Sequence, residues 1–205
     1  MFIARAKLNR RRRETVRLLE DPSKMHAAVQ SCFGVDDPGR VLWRVDEGKH
    51  VDELYVVALE QPDLTHIIEE CGWPQAHPFE SKDYSVLLDR LGDGQRLMFR
   101  LTGNPAHKVA DHKNRLAHVT VAQQESWAEH QLGLTGLDVE MVRSIKNDKL
   151  RFNKGDAGHR VSLSRTVFEG SASVREVDAL RNGLTAGLGP GKAYGCGLLT
   201  VSMAE

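Results

Sequence analysis

The sequence predicts an α+β protein in which one order of elements, β-α-β-β-α-β, occurs twice. Short β-rich runs alternate with amphipathic helical segments, and a Gly-rich break at Leu91–Gln95 separates two halves of similar pattern. The length of 205 residues accommodates two small domains. This order is typical of the split βαβ motif, so we expect two tandem ferredoxin-like (RRM-like) domains, over residues 1–90 and 95–205.

The N-terminal half supplies the first copy of the pattern. Asp21 followed by Pro22 is typical of a helix start, since Asp is a favoured N-cap and proline fits the first turn. The helix is expected to end near Gly34, with a buried stripe at Met25, Val29 and Cys32. The other expected elements are strands at Met1–Leu8, Arg40–Val45 and Leu54–Leu59, a short helix at Asp63–Cys71, and a strand at Tyr84–Leu88.

The C-terminal half repeats the order. Its expected elements are a strand at Arg96–Leu101, a helix at Val121–Leu132, strands at Leu137–Ser144 and Val161–Glu169, a helix at Val174–Leu184 and a strand at Cys196–Val201. The two middle strands flank a long basic hairpin. Each half then leaves one sheet face without helices, and such a face suits an extended polymer.

The composition narrows the class of protein. With 40% hydrophobic and 27% charged residues, the chain has an ordinary globular composition, which excludes a collagen or a wholly disordered tail. It lacks the run of about 18 apolar residues that a membrane helix needs, and we do not expect its basic N-terminal segment to act as a secretory signal. The three cysteines, Cys32, Cys71 and Cys196, are far apart and odd in number, which favours a reducing cytoplasm.

The charges are segregated although they sum to zero. Residues 1–20 hold seven basic and two acidic side chains, and residues 143–165 hold seven basic and two acidic ones. Residues 36–93 hold fourteen acids and five bases, which makes this segment a candidate for docking to a protein partner. A basic face attracts phosphate even on a neutral protein. Solvated surfaces explain the charge pattern equally well.

A Gly-rich segment lies near the C-terminus, with six glycines in residues 183–197. It does not fit a Walker A loop, because Ala186 and Ala193 occupy positions that need glycine and Ser or Thr. Lys192 likewise replaces the third glycine of a dinucleotide loop, so a small-molecule nucleotide enzyme is disfavoured. The glycines predict either a tight helix-to-strand turn or a backbone nest for a phosphate.

Four motifs in order resemble the CasE (Cse3) family of CRISPR-associated endoribonucleases from type I-E systems. They are KMH at 24–26, RLTGNP at 100–105, VFEG at 167–170 and GLGPGKAYGCGLLTV at 187–201. The Gly-rich loop alone is shared by several RNA-binding relatives, whereas the four landmarks together are specific and span nearly the whole chain.

The resemblance implies a reaction and a set of partners. The family cuts precursor CRISPR RNA at repeat stem-loops by attack of a ribose 2′-OH on the adjacent phosphate, leaving a 2′,3′-cyclic phosphate and a 5′-OH. It uses no metal or other cofactor, keeps the product hairpin and joins the Cascade complex. The implied partners are therefore repeat RNA and other Cascade subunits, in the cytoplasm and without a membrane.

His26 matches the catalytic histidine of the family. Helical geometry places it about 100° from Met25, away from the buried stripe. A neutral imidazole takes up the 2′-OH proton and its protonated form supplies the leaving 5′ oxygen. Some relatives carry a tyrosine where this chain has Ser23, which leaves the second catalytic residue open. Ser23 and Lys24 are the auxiliary candidates.

The candidate RNA contacts lie mainly in the C-terminal half. They are Lys146, Lys149, Arg151, Lys154 and Arg160 in the basic hairpin, Gly189, Gly191 and Lys192 in the Gly-rich segment, and Lys108, Lys113 and Arg115 after the RLTGNP motif. The run Arg10–Arg13 either contacts RNA or solvates a loop.

Two other functions compete with the nuclease. The chain is alternatively a non-cleaving subunit that holds the crRNA hairpin, an option that Ser23 keeps open. The third hypothesis is a small-molecule enzyme that binds a nucleotide. It is disfavoured because the Gly-rich segment matches neither nucleotide-binding pattern.

Overall fold

The computed structural model describes residues 1–74, 79–108, 115–154 and 159–203, without the side chains of residues 154 and 159. It divides into two compact units. The first comprises Met1–Asp89 together with Ala193–Gly195, and the second comprises Arg90–Lys192 and Cys196–Glu205. The short segment Ala193–Gly195 of the Gly-rich loop thus belongs with the first unit, although the sequence pattern assigns it to the C-terminal domain.

The first unit is a four-stranded antiparallel sheet with helices in its crossovers. Its elements are β1 (Phe2–Leu8), α1 (Arg13–Glu20), α2 (Pro22–Gln30), β2 (Leu42–Asp46), β3 (Asp52–Ala58), α3 (Thr65–Cys71), β4 (Phe79–Asp83) and α4 (Ser85–Leu88). The strand order is β2-β3-β1-β4, which is the ferredoxin-like order.

The second unit repeats that topology. Its elements are β5 (Arg96–Gly103), β6 (Ala106–His107), β7 (Leu116–Ala117), α5 (Val121–Gly133), β8 (Leu137–Lys154), β9 (His159–Val174), α6 (Val177–Ala186), a 3-10 turn (Lys192–Tyr194) and β10 (Leu199–Met203). The larger sheet has the order β10-β5-β9-β8 and is antiparallel throughout. The predicted pair of ferredoxin-like domains is confirmed.

The core of the first unit lies between the helices and one sheet face. Alternation along β1 turns Ala4, Ala6 and Leu8 inward, where they meet Met25 and Val29 of α2. All three cysteines are buried and unpaired. Burial raises the pKa of Cys32 to about 12 and that of Cys196 to about 12, which keeps these thiols protonated.

The predicted strand at Tyr84–Leu88 is wrong. The fourth strand is Phe79–Asp83, and Ser85–Leu88 form a short helix. Asp83 lies one residue before the N-cap Tyr84, and its Oδ1 accepts from the backbone N–H of Ser85 at 2.9 Å, which turns the chain from the strand into this helix. The strand itself is polar because it lies at the sheet edge, paired only with β1. Without an apolar run it gives little sequence signal.

The hairpin strands are longer than predicted. Pairing runs to Lys154 and His159, so the predicted basic hairpin is a β-ribbon that continues both strands beyond their predicted ends. Because β9 continues to Val174, α6 begins only at Val177. Helix α2 likewise ends at Gln30, before the predicted stop at Gly34, and the last strand begins at Leu199 rather than Cys196.

Helix α1 has no counterpart in the predicted elements; it begins at Arg13, the last residue of the arginine run. Within the described ranges, no helix combines the length and apolar character that a membrane crossing requires.

Candidate active site and nucleic-acid interface

Helix α2 fixes the position of His26. The Asp21 side chain caps its N-terminus by accepting from the backbone N–H groups of Ser23 at 2.9 Å and Lys24 at 3.4 Å. Met25 and Val29 of the same helix are almost completely buried and pack it against the core of the first unit. His26 is therefore held half-buried on a capped and packed helix, as the helical spacing predicts.

The imidazole of His26 contacts the indole of Trp43. The Nε1–H of Trp43 donates to Nδ1 of His26 at 3.4 Å. Trp43 lies in β2 and is only 2% exposed. Its ring packs against Gly195, where an added Cβ would lie 2.6 Å from Cζ3 of the indole. Gly195 has φ +76°, so both its backbone conformation and its close approach require glycine.

The two auxiliary candidates, Ser23 and Lys24, differ in their surroundings. The Ser23 hydroxyl is buried and has no hydrogen-bond partner within the described part of the chain. The Nζ of Lys24 lies 3.7 Å from Oδ2 of Asp21, so its charge stands beside the helix cap. Their catalytic roles stay predictions.

The hairpin β8–β9 has two different faces. On one, which we call the paired face, the Nζ of Lys146 and the Nη2 of Arg165 each lie 3.2 Å from Oδ2 of Asp148. Phe152 and Leu163 are buried on this same face. The paired face therefore combines packing with two cations that share one carboxylate.

The opposite face of the hairpin, which we call the basic face, is exposed. Strand pairing gives it Lys149, Arg151, Asn153, Arg160, Ser162 and Ser164. No carboxylate forms an ion pair with its three cations among the residues that the structure describes. Uncompensated Lys and Arg side chains interspersed with small polar ones suit a phosphate backbone. Lys154, also predicted to contact RNA, has its side chain outside the described residues.

The Gly-rich loop offers two free backbone donors. Gly189 and Gly191 have φ +64° and +89°, and their N–H groups have no partner among the described residues. Lys192 donates from Nζ to the carbonyl of Gly189 at 2.7 Å, which closes the loop on itself. The arrangement resembles an anion nest with a cation beside it.

Two further basic candidates, Lys108 and Arg115, lie close together in the second unit. Pairing of His107 with Leu116 brings Lys108 and Arg115 to the same end of the β6–β7 ladder, and both are exposed. Lys113 lies outside the described residues.

The arginine run splits into two kinds. Arg10 forms an ion pair with Glu47 at 2.7 Å and another with Asp52, and these hydrogen bonds raise its pKa. Arg12 donates to the carbonyl of Glu69, whereas Arg11 and Arg13 are exposed. Intramolecular contacts thus account for half of the run.

Three histidines line an open surface depression of about 760 Å³ beside α5, which the sequence pattern does not reveal. The rings of His107 and His118 lie 4.7 Å apart, and His130 and Trp127 complete the wall. Burial and the neighbouring His107 lower the pKa of His118. These imidazoles form no metal-binding group with other described residues.

Comparison with known proteins identifies the family. A family model described as CRISPR associated protein matches residues 1–202. CRISPR-associated endoribonuclease Cse3 of Thermus thermophilus is 30% identical over 98% of this chain and 100% of its own length. The chain belongs to the CasE/Cse3 family of CRISPR-associated proteins. Cascade subunit CasE of Escherichia coli K12 is 30% identical over 55% of this chain and 61% of its own length.

Solved structures of the family show the same fold. Cse3 bound to a 19-nucleotide RNA has a TM-score of 0.83 and 28% identity, covering 98% of this chain and 100% of that one. The Thermus thermophilus Cse3 complex with an RNA representing a pre-cleavage state has a TM-score of 0.83 and 27% identity, covering 98% of each chain.

Sequence reasoning found His26 but missed its neighbour Trp43. A tryptophan in an apolar strand looks like a core residue, and Trp43 is one. Only the pairing of β2 with β3 and the fold of α2 over the sheet bring its N–H to the histidine.

Proposed function

We propose that this chain is an endoribonuclease that cuts precursor CRISPR RNA at repeat stem-loops and keeps the product as a Cascade subunit. Its end-to-end match to a Cse3 endoribonuclease, including a pre-cleavage RNA complex, carries the proposal. The name of its E. coli relative supports the place in Cascade. A cytoplasmic location fits the three unpaired cysteines.

His26 is the proposed catalytic residue. The 2′ oxygen attacks the adjacent phosphorus while the bond from phosphorus to the 5′ oxygen breaks. The 2′-OH loses a proton and the 5′ oxygen gains one, so the reaction needs no metal in principle. An imidazole placed at this junction accelerates the reaction by exchanging these protons or by donating a hydrogen bond to the leaving oxygen, and one such positioned group typically contributes roughly 10²–10⁴-fold. The cap at Asp21 and the packing of Met25 support this role, because they hold the ring in place.

The proposed RNA-binding surface includes the basic face of the hairpin. Lys149, Arg151 and Arg160 are exposed and free of carboxylate partners in the described residues, so their charge is available to phosphates. The loop N–H groups of Gly189 and Gly191 add neutral donors for a phosphate oxygen. Lys108 and Arg115 extend the set.

Cleavage of a cognate repeat hairpin in EDTA tests the proposal. We expect one cut with a 2′,3′-cyclic phosphate on one product and a 5′-OH on the other. A matched hairpin with a 2′-deoxy nucleotide before the scissile phosphate should bind equally and remain intact. Loss of activity in the chelator, or products with a 3′-OH and a 5′-phosphate, would contradict the mechanism.

The second candidate is a subunit that holds the crRNA hairpin without cutting it. Ser23 favours it, since its buried hydroxyl supplies no exposed group beside His26. Tight binding of the hairpin with no product over several hours would establish this alternative.

A further inference from the structure

We propose that Trp43 is a positioning residue for His26, which keeps the neutral imidazole protonated on Nε2 and makes it a hydrogen-bond donor toward the RNA. The inference rests on the proposed function, because it concerns the chemistry of the same histidine. It starts from the hydrogen bond between the indole Nε1–H and Nδ1, at 3.4 Å.

The contact selects one form of the ring. A neutral imidazole has one N–H and one lone pair, and indole nitrogen only donates. An N–H directed at Nδ1 therefore needs the lone pair there, which puts the proton of the neutral ring on Nε2. The partner of one ring nitrogen thus determines the state of the other.

The indole is rigid enough to impose this choice. Trp43 is 2% exposed and lies on β2, the edge strand of the first sheet, where it pairs with Val56 of β3. Gly195 lies against the other part of the ring, so close that even a Cβ would not fit. The donor is thereby fixed by strand pairing and by the Gly-rich loop segment that belongs to the first unit.

A donor at Nε2 favours one of the two possible roles of His26. Negative charge develops on the 5′ oxygen as its bond to phosphorus breaks, and a fixed N–H aimed at this oxygen stabilises it. The 2′-OH proton then passes to solvent water, and the 5′ oxygen takes its proton from solvent water. The ring itself is unchanged after the reaction, as for other neutral imidazoles that act as electrophiles.

Trp73 provides a matched control. Its Nε1–H also forms a hydrogen bond, to the carbonyl of Leu8 at 3.1 Å, and it also lies in the first unit, although it is only half-buried. Replacing either tryptophan by phenylalanine removes one indole N–H and leaves an aromatic ring. Only Trp43→Phe removes a donor from His26.

The experiment combines a spectrum with kinetics. Long-range ¹H–¹⁵N correlations of His26 in the free wild-type protein should show Nε2 protonated and Nδ1 unprotonated at a pH where the ring is neutral. Trp43→Phe should lose this preference, and Trp73→Phe should keep it. With saturating repeat hairpin, Trp43→Phe should lower the single-turnover rate constant roughly 3- to 10-fold with an unchanged Kd, as loss of one hydrogen bond implies.

The outcomes separate the two proposals. A wild-type ring protonated on Nδ1, or wild-type kinetics and tautomer in Trp43→Phe, would overturn the role of Trp43. Wild-type cleavage by His26→Ala would instead overturn the proposed catalytic residue. If Trp43→Phe fails to fold, benzothienylalanine at position 43 keeps the two-ring shape without the N–H, and the same shifts are expected.

Discussion

The α2 helix of the first unit and the β8–β9 hairpin of the second differ in how they carry their functional groups. Helix α2 holds a single imidazole, with a cap at one end, buried residues behind it and an indole against the ring. The hairpin instead presents several exposed cations on one face. Chemistry at one phosphate needs one group in one place, whereas binding a charged stem spreads over many contacts.

The largest effect is expected at the imidazole. His26→Ala should reduce the single-turnover rate constant by about 10²–10⁴-fold and leave the Kd for the repeat hairpin within a factor of two or so. The exposed His50 of the same unit is the control, and His50→Ala should cleave normally. If His26→Ala instead weakened binding of the hairpin in proportion to its loss of cleavage, His26 would be an RNA-binding residue rather than a catalytic one.

Next in size is the combined loss of the basic face. The triple change of Lys149, Arg151 and Arg160 to Ala should weaken RNA binding and reduce the slope of log K against log salt by roughly 0.7–0.9 per lost phosphate contact. The rate constant at saturating RNA should stay near wild type. Lys146→Ala on the paired face is the control and should change the slope less, because Lys146 lies on the opposite side of the hairpin with its Nζ 3.2 Å from Asp148. Equal slopes for the wild type, the triple variant and Lys146→Ala would show that the hairpin does not contact the RNA.

A smaller effect is expected where the Gly-rich loop meets Trp43. Gly195→Ala adds a Cβ against the indole at a positive φ and should lower the free energy of unfolding by about 1–3 kcal/mol. Gly34→Ala is the control, because its Cβ meets nothing within 4 Å. Chemical denaturation measures the free energy of unfolding of both variants. Equal stability would show that the indole of Trp43 shifts to accommodate the added methyl group without cost.

The smallest effect concerns the helix cap. Asp21→Ala should cost about 1 kcal/mol, because two backbone N–H groups lose their acceptor. Asp21→Asn keeps an acceptor oxygen and should restore most of the stability. If Asn fails to restore it, the charge of Asp21 beside Lys24 matters more than the cap.

Most of the fold was predictable, and the exceptions have physical causes. The start of α2 and its buried stripe follow from local signals at Asp21, Pro22 and Met25. The strand at Phe79–Asp83 was not predicted, because an edge strand needs no apolar run. The full length of β8 was not predicted, because its outer part is rich in charged residues and only Leu150 and Phe152 there are large and apolar.

The candidate site was predictable only in part. His26 was found through a resemblance, since helical spacing alone does not separate it from the other histidines. Lys146 and Lys149 lie on opposite faces because of strand alternation, but the β-bulge between Ser144 and Lys146 sets which face each one takes relative to the inner part of β8. The contact of Trp43 with His26 depends on tertiary structure, and no local pattern encodes it.

The most direct test of the central claim replaces the leaving 5′ oxygen of the scissile phosphate by sulfur. A thiolate is a far weaker base than an alkoxide, so it departs without help from a donor. If His26 assists departure of the 5′ oxygen, His26→Ala should cleave the sulfur-containing RNA within a few-fold of wild type while remaining slow on the normal RNA. An equal deficit on both substrates would contradict this role of His26.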